Sequence, residues 1–211
     1  MADQCLDLAA RHGRNEGAGV LANYIMGGTL WATGAFIEAR RHLERTLQFG
    51  AAAGPSSVVA RLLQNHDISA LSYLAWTLWP LGYPAKATAA AKQALRRARD
   101  TGHVPLIAFV SFVDAFLAAA FGADRDRREA RFDEVVTFCA EHGVKAYELW
   151  TRCCQGIAAA YRGDAERGIA VMRGAMAELE AITTRKSFGR CIWVISPRLA
   201  RASARPRRAL P

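Results

Sequence analysis

The feature that most restricts this chain is a recurring break. At residues 78–87 the sequence reads LWPLGYPAKA, with two prolines and a glycine between stretches otherwise built of helix formers. Proline is tolerated in the first turn of a helix, where its missing N–H has no intrahelical partner. Pro84 therefore opens a helix through AKATAAAKQALRRARDTG, while Pro80 removes a donor and discourages continuation of the helix before it. Gly82 supplies the turn between them. The local product is a helical hairpin.

The same break returns along the chain. Gly34 precedes an amphipathic helix with Ala39, Leu43 and Leu47 on one stripe, and Gly163 with Asp164 interrupts AAYRGDAERGIAVMRGAMAEL. Asp164 is suited to cap the following helix. Gly122 marks a less regular break before DRDRREARFDEVV, so the four turn glycines are spaced by 48, 40 and 41 residues. Self-similarity at such a period is the mark of a stacked array, because one hairpin cannot bury its apolar face alone. No segment sustains the two-residue alternation of a strand. The expected fold is all-α, about nine helices stacked as antiparallel hairpins into an α-solenoid over residues 1–184, with a looser connection at 50–65.

With the turns placed, the residues around them resemble tetratricopeptide (TPR) repeats. Gly34, Phe36 and Ala39, then Gly82 and Ala87, carry the likeness, and Gly27 and Gly156 fall where that motif sets a small residue between helices. The spacings exceed the usual ~34 residues, so the units would be long or degenerate. GGTLWATGAFIEARRHLERTL and NHDISALSYLAWTLWPLGYPAKATAAAKQAL further resemble the C-terminal helical-repeat region of large bacterial signalling proteins. In those proteins a class III adenylate/guanylate cyclase domain and a P-loop ATPase module precede the repeats. The likeness covers roughly residues 6–184 and implies a non-catalytic, regulatory, protein-binding module. The chain itself has neither a cyclase domain nor a G-x-x-x-x-G-K-[ST] loop.

Charge divides the chain in two. The formal net charge is +9, yet residues 1–184 hold 20 Lys and Arg against 19 Asp and Glu; the other eight basic residues lie in 185–211, which has no acid. That stretch reads either as a purposeful basic tail or as an end that has left the repeat pattern. Arg198, Arg201, Arg205, Arg207 and Arg208 make nucleic-acid binding the alternative function, through salt-dependent phosphate contacts. Only Phe188 and Trp193 interleave with these charges, so protein is the partner expected first. An apolar content of 52% argues against general disorder. Five cysteines without paired spacing (Cys5, Cys139, Cys153, Cys154 and Cys191) indicate reduced thiols and a cytoplasmic protein. Residues 104–123 approach the length of a membrane span, but Asp114 near their centre favours a buried helix instead.

Little in the sequence points to catalysis. His66–Asp67 lacks the further ligands of a metal-dependent dyad, and the pair reads as the start of a helix with Asp67 near the positive dipole end. Cys139 and His142, three apart, are too few for a closed metal site, and Gly143 reads as a helix C-cap. No catalytic residue, cofactor or metal is expected. The aromatic residues carry more. Aligning the hairpins on their glycines places Tyr24, Trp31, Trp76, Trp79, Phe112, Trp150 and Tyr161 on first helices, which line the concave, partner-binding groove of TPR arrays. Trp and Tyr are favoured interface anchors; the same rings would also serve as inter-hairpin core. An exposed repeat end offers a second surface, for self-association.

Overall fold

The turns set the architecture. The computed structural model describes residues 16–52, 58–121 and 125–182, which form eight helices: α1 (Glu16–Thr33), α2 (Phe36–Ala52), α3 (Val58–Leu78), α4 (Pro84–Thr101), α5 (Val104–Phe121), α6 (Arg125–Glu141), α7 (Lys145–Tyr161) and α8 (Ala165–Ile182). No strand occurs among these residues. The chain divides into two compact units, residues 1–124 and 125–211.

Four connections close in the same way. Gly34, Gly82, Gly143 and Gly163 adopt positive φ of 83°, 82°, 69° and 97°. In each, the glycine N–H donates to the carbonyl three residues back and the next N–H to the carbonyl five back; at Gly34 these are Trp31 (3.0 Å) and Leu30 (2.9 Å). This is the Schellman end, which satisfies orphan carbonyls and needs a left-handed residue that glycine adopts without Cβ strain. Gly102, φ 66°, ends α4 in the same left-handed region. The helix read through AKATAAAKQALRRARDTG ends here as expected, but Gly102 was not counted among the turn glycines, although GHVP repeats the glycine-then-proline pattern of GYP. Gly122 lies outside the described residues.

Helix starts follow the sequence closely in two places and depart from it in a third. Pro84 occupies the first turn of α4, and Asp164 Oδ1 accepts the Arg167 N–H at 3.2 Å, capping α8. The looser connection expected over 50–65 is a correction: α2 runs to Ala52 and α3 begins at Val58, leaving 53–57 outside the described residues. His66 and Asp67 therefore sit inside α3, not at its N-terminal end, and the helix dipole does not explain the pair. VVARLLQN continues the helix through residues with no glycine or proline to stop it.

In the first unit α1 packs on α2 and α3, and α3 packs also on α4 and α5, with α4 against α5. Leu43, Ala70, Leu74, Leu78 and Ala87 form a buried cluster with Tyr24, Leu47, Tyr73 and Trp79 against it. Helix α4 presents only alanine to this core: Ala87, Ala90, Ala91, Ala94 and Ala98 are buried, at spacings that keep them on one stripe. At the α1–α2 crossing, Asn23 Nδ2 donates to the Gly19 carbonyl (2.8 Å) while its Oδ1 meets His42 Nδ1 at 2.9 Å. Burial holds the His42 pKa below its ordinary value, with Arg45 adding to the effect.

In the second unit α7 packs on α6 and α8. Leu149, Cys153, Ala175 and Leu179 form its buried cluster. Buried Glu148 receives Lys145 Nζ at 3.3 Å and Arg152 Nη2 at 2.8 Å, and Lys145 reaches Glu178 on α8 at 3.2 Å. Burial raises the Cys153 thiol to a pKa of about 11. Glycines set the α7–α8 distance. A β-carbon on Gly168 would lie 2.5 Å from the Gly156 carbonyl oxygen and 2.8 Å from Ala160 N, and one on Gly156 would lie 2.7 Å from the Gly168 carbonyl oxygen.

These obstacles are backbone atoms, which cannot swing aside as a side-chain tip can. Alanine gains about 1 kcal/mol over glycine inside a helix, but overpacking costs about 1–3 kcal/mol. Gly168→Ala is expected to lower the denaturation free energy by about 1–3 kcal/mol. Gly174→Ala is the opposite case, since nothing lies within 4 Å of its added carbon; it should raise stability by about 0.5–1 kcal/mol. Urea unfolding of both variants checks the close crossing: equal shifts would contradict it.

Candidate functional site

Aromatic residues on α1, α3 and α5 meet in one seam. Trp76 of α3 is buried, and the Trp31 ring of α1 stacks on it with centroids 4.8 Å apart and planes 11° from parallel. From the other side Phe109, Phe112 and Phe116 of α5 stand nearly perpendicular to Trp76, at 6.0, 5.8 and 6.2 Å. Their spacing of three and four residues keeps the three phenylalanines on one helical face. Tyr73, one turn before Trp76, touches Tyr24, Trp31 and Phe109 at 6.1, 5.4 and 5.5 Å. Trp79, just past the end of α3, contacts Phe116 at 5.3 Å. Offset and edge-on pairs are each worth about 0.5–1.5 kcal/mol beyond the area they bury.

Burial within the seam is graded. Trp76 and Phe112 are buried, whereas Tyr24, Trp31, Tyr73, Trp79 and Phe116 remain half-buried. Burial raises the Tyr24 pKa, and a hydrogen bond with Ser69 partly offsets this. Trp76 Nε1 and His66 Nδ1 are buried without a hydrogen-bond partner. Such orphans cost about 1–3 kcal/mol each, so Trp76 is held by packing rather than by its N–H. Formal charge is sparse on these helices: Glu16 on α1, Arg61 and Asp67 on α3, and Asp114 on α5. Arginines and lysines are concentrated on α2 and α4 instead.

The structure thus brings together five of the seven aromatic residues expected in the groove: Tyr24, Trp31, Trp76, Trp79 and Phe112. The other two belong to the second unit. Trp150 is half-buried against the Leu149–Cys153–Ala175–Leu179 cluster, and Tyr161 at the end of α7 is 62% exposed. Tyr73, Phe109 and Phe116 were missed by sequence reasoning. Their helical spacing from Trp76 and Phe112 was the available signal.

An open cavity of about 180 Å³ lies within the second unit, lined by Glu129, Phe132, Gln155, Ala158, Arg162 and Arg167. Its charges are largely engaged: Arg162 pairs with Glu129, and Gln155 donates to Asp133 at 2.7 Å. Among the described residues no group of three or more His, Cys, Asp or Glu side chains is placed to hold a metal ion. Cys139 is buried, and burial raises its thiol to a pKa of about 11, whereas His142 is exposed, stacks on Phe138 and donates to the Phe138 carbonyl at 2.9 Å. No described helix is long and apolar enough to cross a membrane. Neither a family model nor a curated protein sequence matches this chain.

Asp67 of α3 is buried, with Oδ2 4.0 Å from Arg97 Nη2 of α4 and Oδ1 without a hydrogen-bond partner. Burial raises its carboxyl pKa above the ordinary value, with Arg97 and His66 pulling it back. The folded chain therefore holds this proton more tightly than the unfolded chain. The group's stabilisation is present below the ordinary carboxylate value and is lost as pH rises through the raised one. Asp67→Asn is expected to raise the Tm at pH 7 and to flatten the pH dependence between those two values. A lower Tm at pH 7 would mean that the Arg97 contact outweighs the cost of burial.

Proposed function

We propose that the chain is a non-catalytic, TPR-like helical-repeat module that binds a protein or peptide segment along the first helices of its hairpins. The observation that supports this most is the aromatic seam. Helices α1, α3 and α5 pack on one another in succession, and α2 and α4 each sit on the two first helices that flank them. That order is the one a stacked hairpin array requires. The seam leaves Tyr24, Trp31 and Tyr73 half-exposed on sparsely charged helices, and such rings bury large area on binding at small entropic cost. The regulatory role beside cyclase and ATPase domains rests on the sequence resemblance alone. Nucleic-acid binding rests on residues 185–211, outside the described residues.

Differential selection tests the reading. Peptides from a random display library are selected on the full chain and counter-selected on Trp31→Ala, after circular dichroism confirms that the variant is folded. Enriched peptides should bind the parent protein and lose at least about 2 kcal/mol of affinity on Trp31→Ala, the range of an interface anchor. Peptides that bind both proteins equally would place recognition elsewhere.

A further inference from the structure

The solvent face of α4 is basic and uncompensated. The helix holds five basic residues, Lys86, Lys92, Arg96, Arg97 and Arg99, against the single acid Asp100. With about 3.6 residues per turn, Lys92, Arg96 and Arg99 fall opposite the five buried alanines, on one exposed stripe. Lys86 is exposed about 9 Å earlier along the axis. Among the described residues no acid lies within 4.0 Å of Lys86, Lys92, Arg96 or Arg99. Only the half-buried Arg97 meets one, Asp67. On α7, by contrast, both cations, Lys145 and Arg152, reach Glu148.

The arrangement works against the helix that carries it. Lys92 with Arg96, and Arg96 with Arg99, stand four and three residues apart, where like charges repel. Lys86 lies in the first turn, where the helix dipole disfavours a cation. Charge complementarity calls for a polyanion on this face, and its chemistry favours phosphate. None of the exposed large apolar residues lies on α4, whereas protein interfaces draw most of their energy from such anchors. The apolar side of α4 is buried, which leaves nothing to insert among lipids as a membrane-surface helix does. Phosphate contacts need neither, because their affinity comes from charge and released counterions. The basic surface also reaches a second helix. Tyr83, 42% exposed, has Arg40 of α2 at 5.3 Å and Lys86 at 5.4 Å from its ring centre.

We infer that the exposed face of α4, through Lys86, Lys92, Arg96 and Arg99, binds the phosphate backbone of a nucleic acid without reading its sequence. The surface is separate from residues 185–211, and the inference is independent of the peptide-binding reading, which concerns α1, α3 and α5. Fluorescence anisotropy of the full 211-residue chain with a labelled DNA duplex, repeated between about 50 and 200 mM salt, is the test. Lys92→Gln combined with Arg96→Gln should weaken binding about tenfold or more and lower the salt slope by about two, one for each lost phosphate contact. Helix content should be unchanged by circular dichroism. Lys92→Arg combined with Arg96→Lys keeps the charge and should keep both affinity and slope. Arg167→Gln combined with Arg173→Gln removes the same charge from exposed positions of α8 and should leave the slope as it was. A parent protein that binds no DNA at low salt overturns the inference. So does a Lys92→Gln, Arg96→Gln variant that binds like the parent, or an α8 variant that loses as much. A polyglutamate peptide that competes as well as unlabelled DNA of equal charge would overturn the choice of nucleic acid.

Discussion

The indole of Trp76 touches both neighbouring first helices at once, flat against Trp31 from α1 and edge-on to Phe109, Phe112 and Phe116 from α5. One side chain thereby fixes the separation of three helices, and the rest of the first unit follows from it. Helix α4 packs on both α3 and α5, presenting a buried stripe that is entirely alanine. Leu43 of α2 reaches the core because Gly27 leaves the space, a β-carbon there falling 2.6 Å from Leu43 Cγ. Large rings on the first helices and small residues on their partners are two halves of one packing solution.

The second unit solves the same problem without rings at its closest crossing. Gly156 and Gly168 bring the backbones of α7 and α8 into contact, and the ion pairs of Lys145 with Glu148 and Glu178 tie the two helices at their edge. Lys145 is exposed at its tip, so the pairing contributes orientation more than stability. Tyr161 stands in solvent there. The contrast explains why the aromatic seam, and the binding role proposed for it, is confined here to the first unit.

Architecture was legible wherever a turn had to be made with residues that only a turn tolerates. Gly34, Gly82 and Gly163, Pro84 at a helix start and Asp164 as a cap each have one physical use in a helical chain, and the structure uses them so. Residues 50–65 were read as one loose connection because GAAAGPSS resembles a loop, whereas α2 runs on to Ala52 and α3 begins already at Val58. The candidate site was half legible. Tyr24, Trp31, Trp76, Trp79 and Phe112 could be placed on first helices, but a ring's helix does not determine whether it points into the core or out of it. Trp76 and Phe112 are buried and Trp31 is not, a difference set by neighbours that are distant in sequence. For the same reason the buried position of Asp67 was invisible: it depends on Arg97 and on where α3 begins.

The central claim is that stacking between Trp31 and Trp76 couples α1 to the seam. A double-mutant cycle in urea, using Trp31→Ala, Trp76→Ala and the double variant, measures that coupling directly. Trp76→Ala alone is expected to cost about 3–5 kcal/mol, as removal of a buried tryptophan does. The double variant should lose less than the sum of the two single losses by about 0.5–1.5 kcal/mol, the range of an aromatic pair. Single losses that add to within about 0.3 kcal/mol would mean that the two rings are stabilised independently, and the seam would not be the interaction that organises this unit.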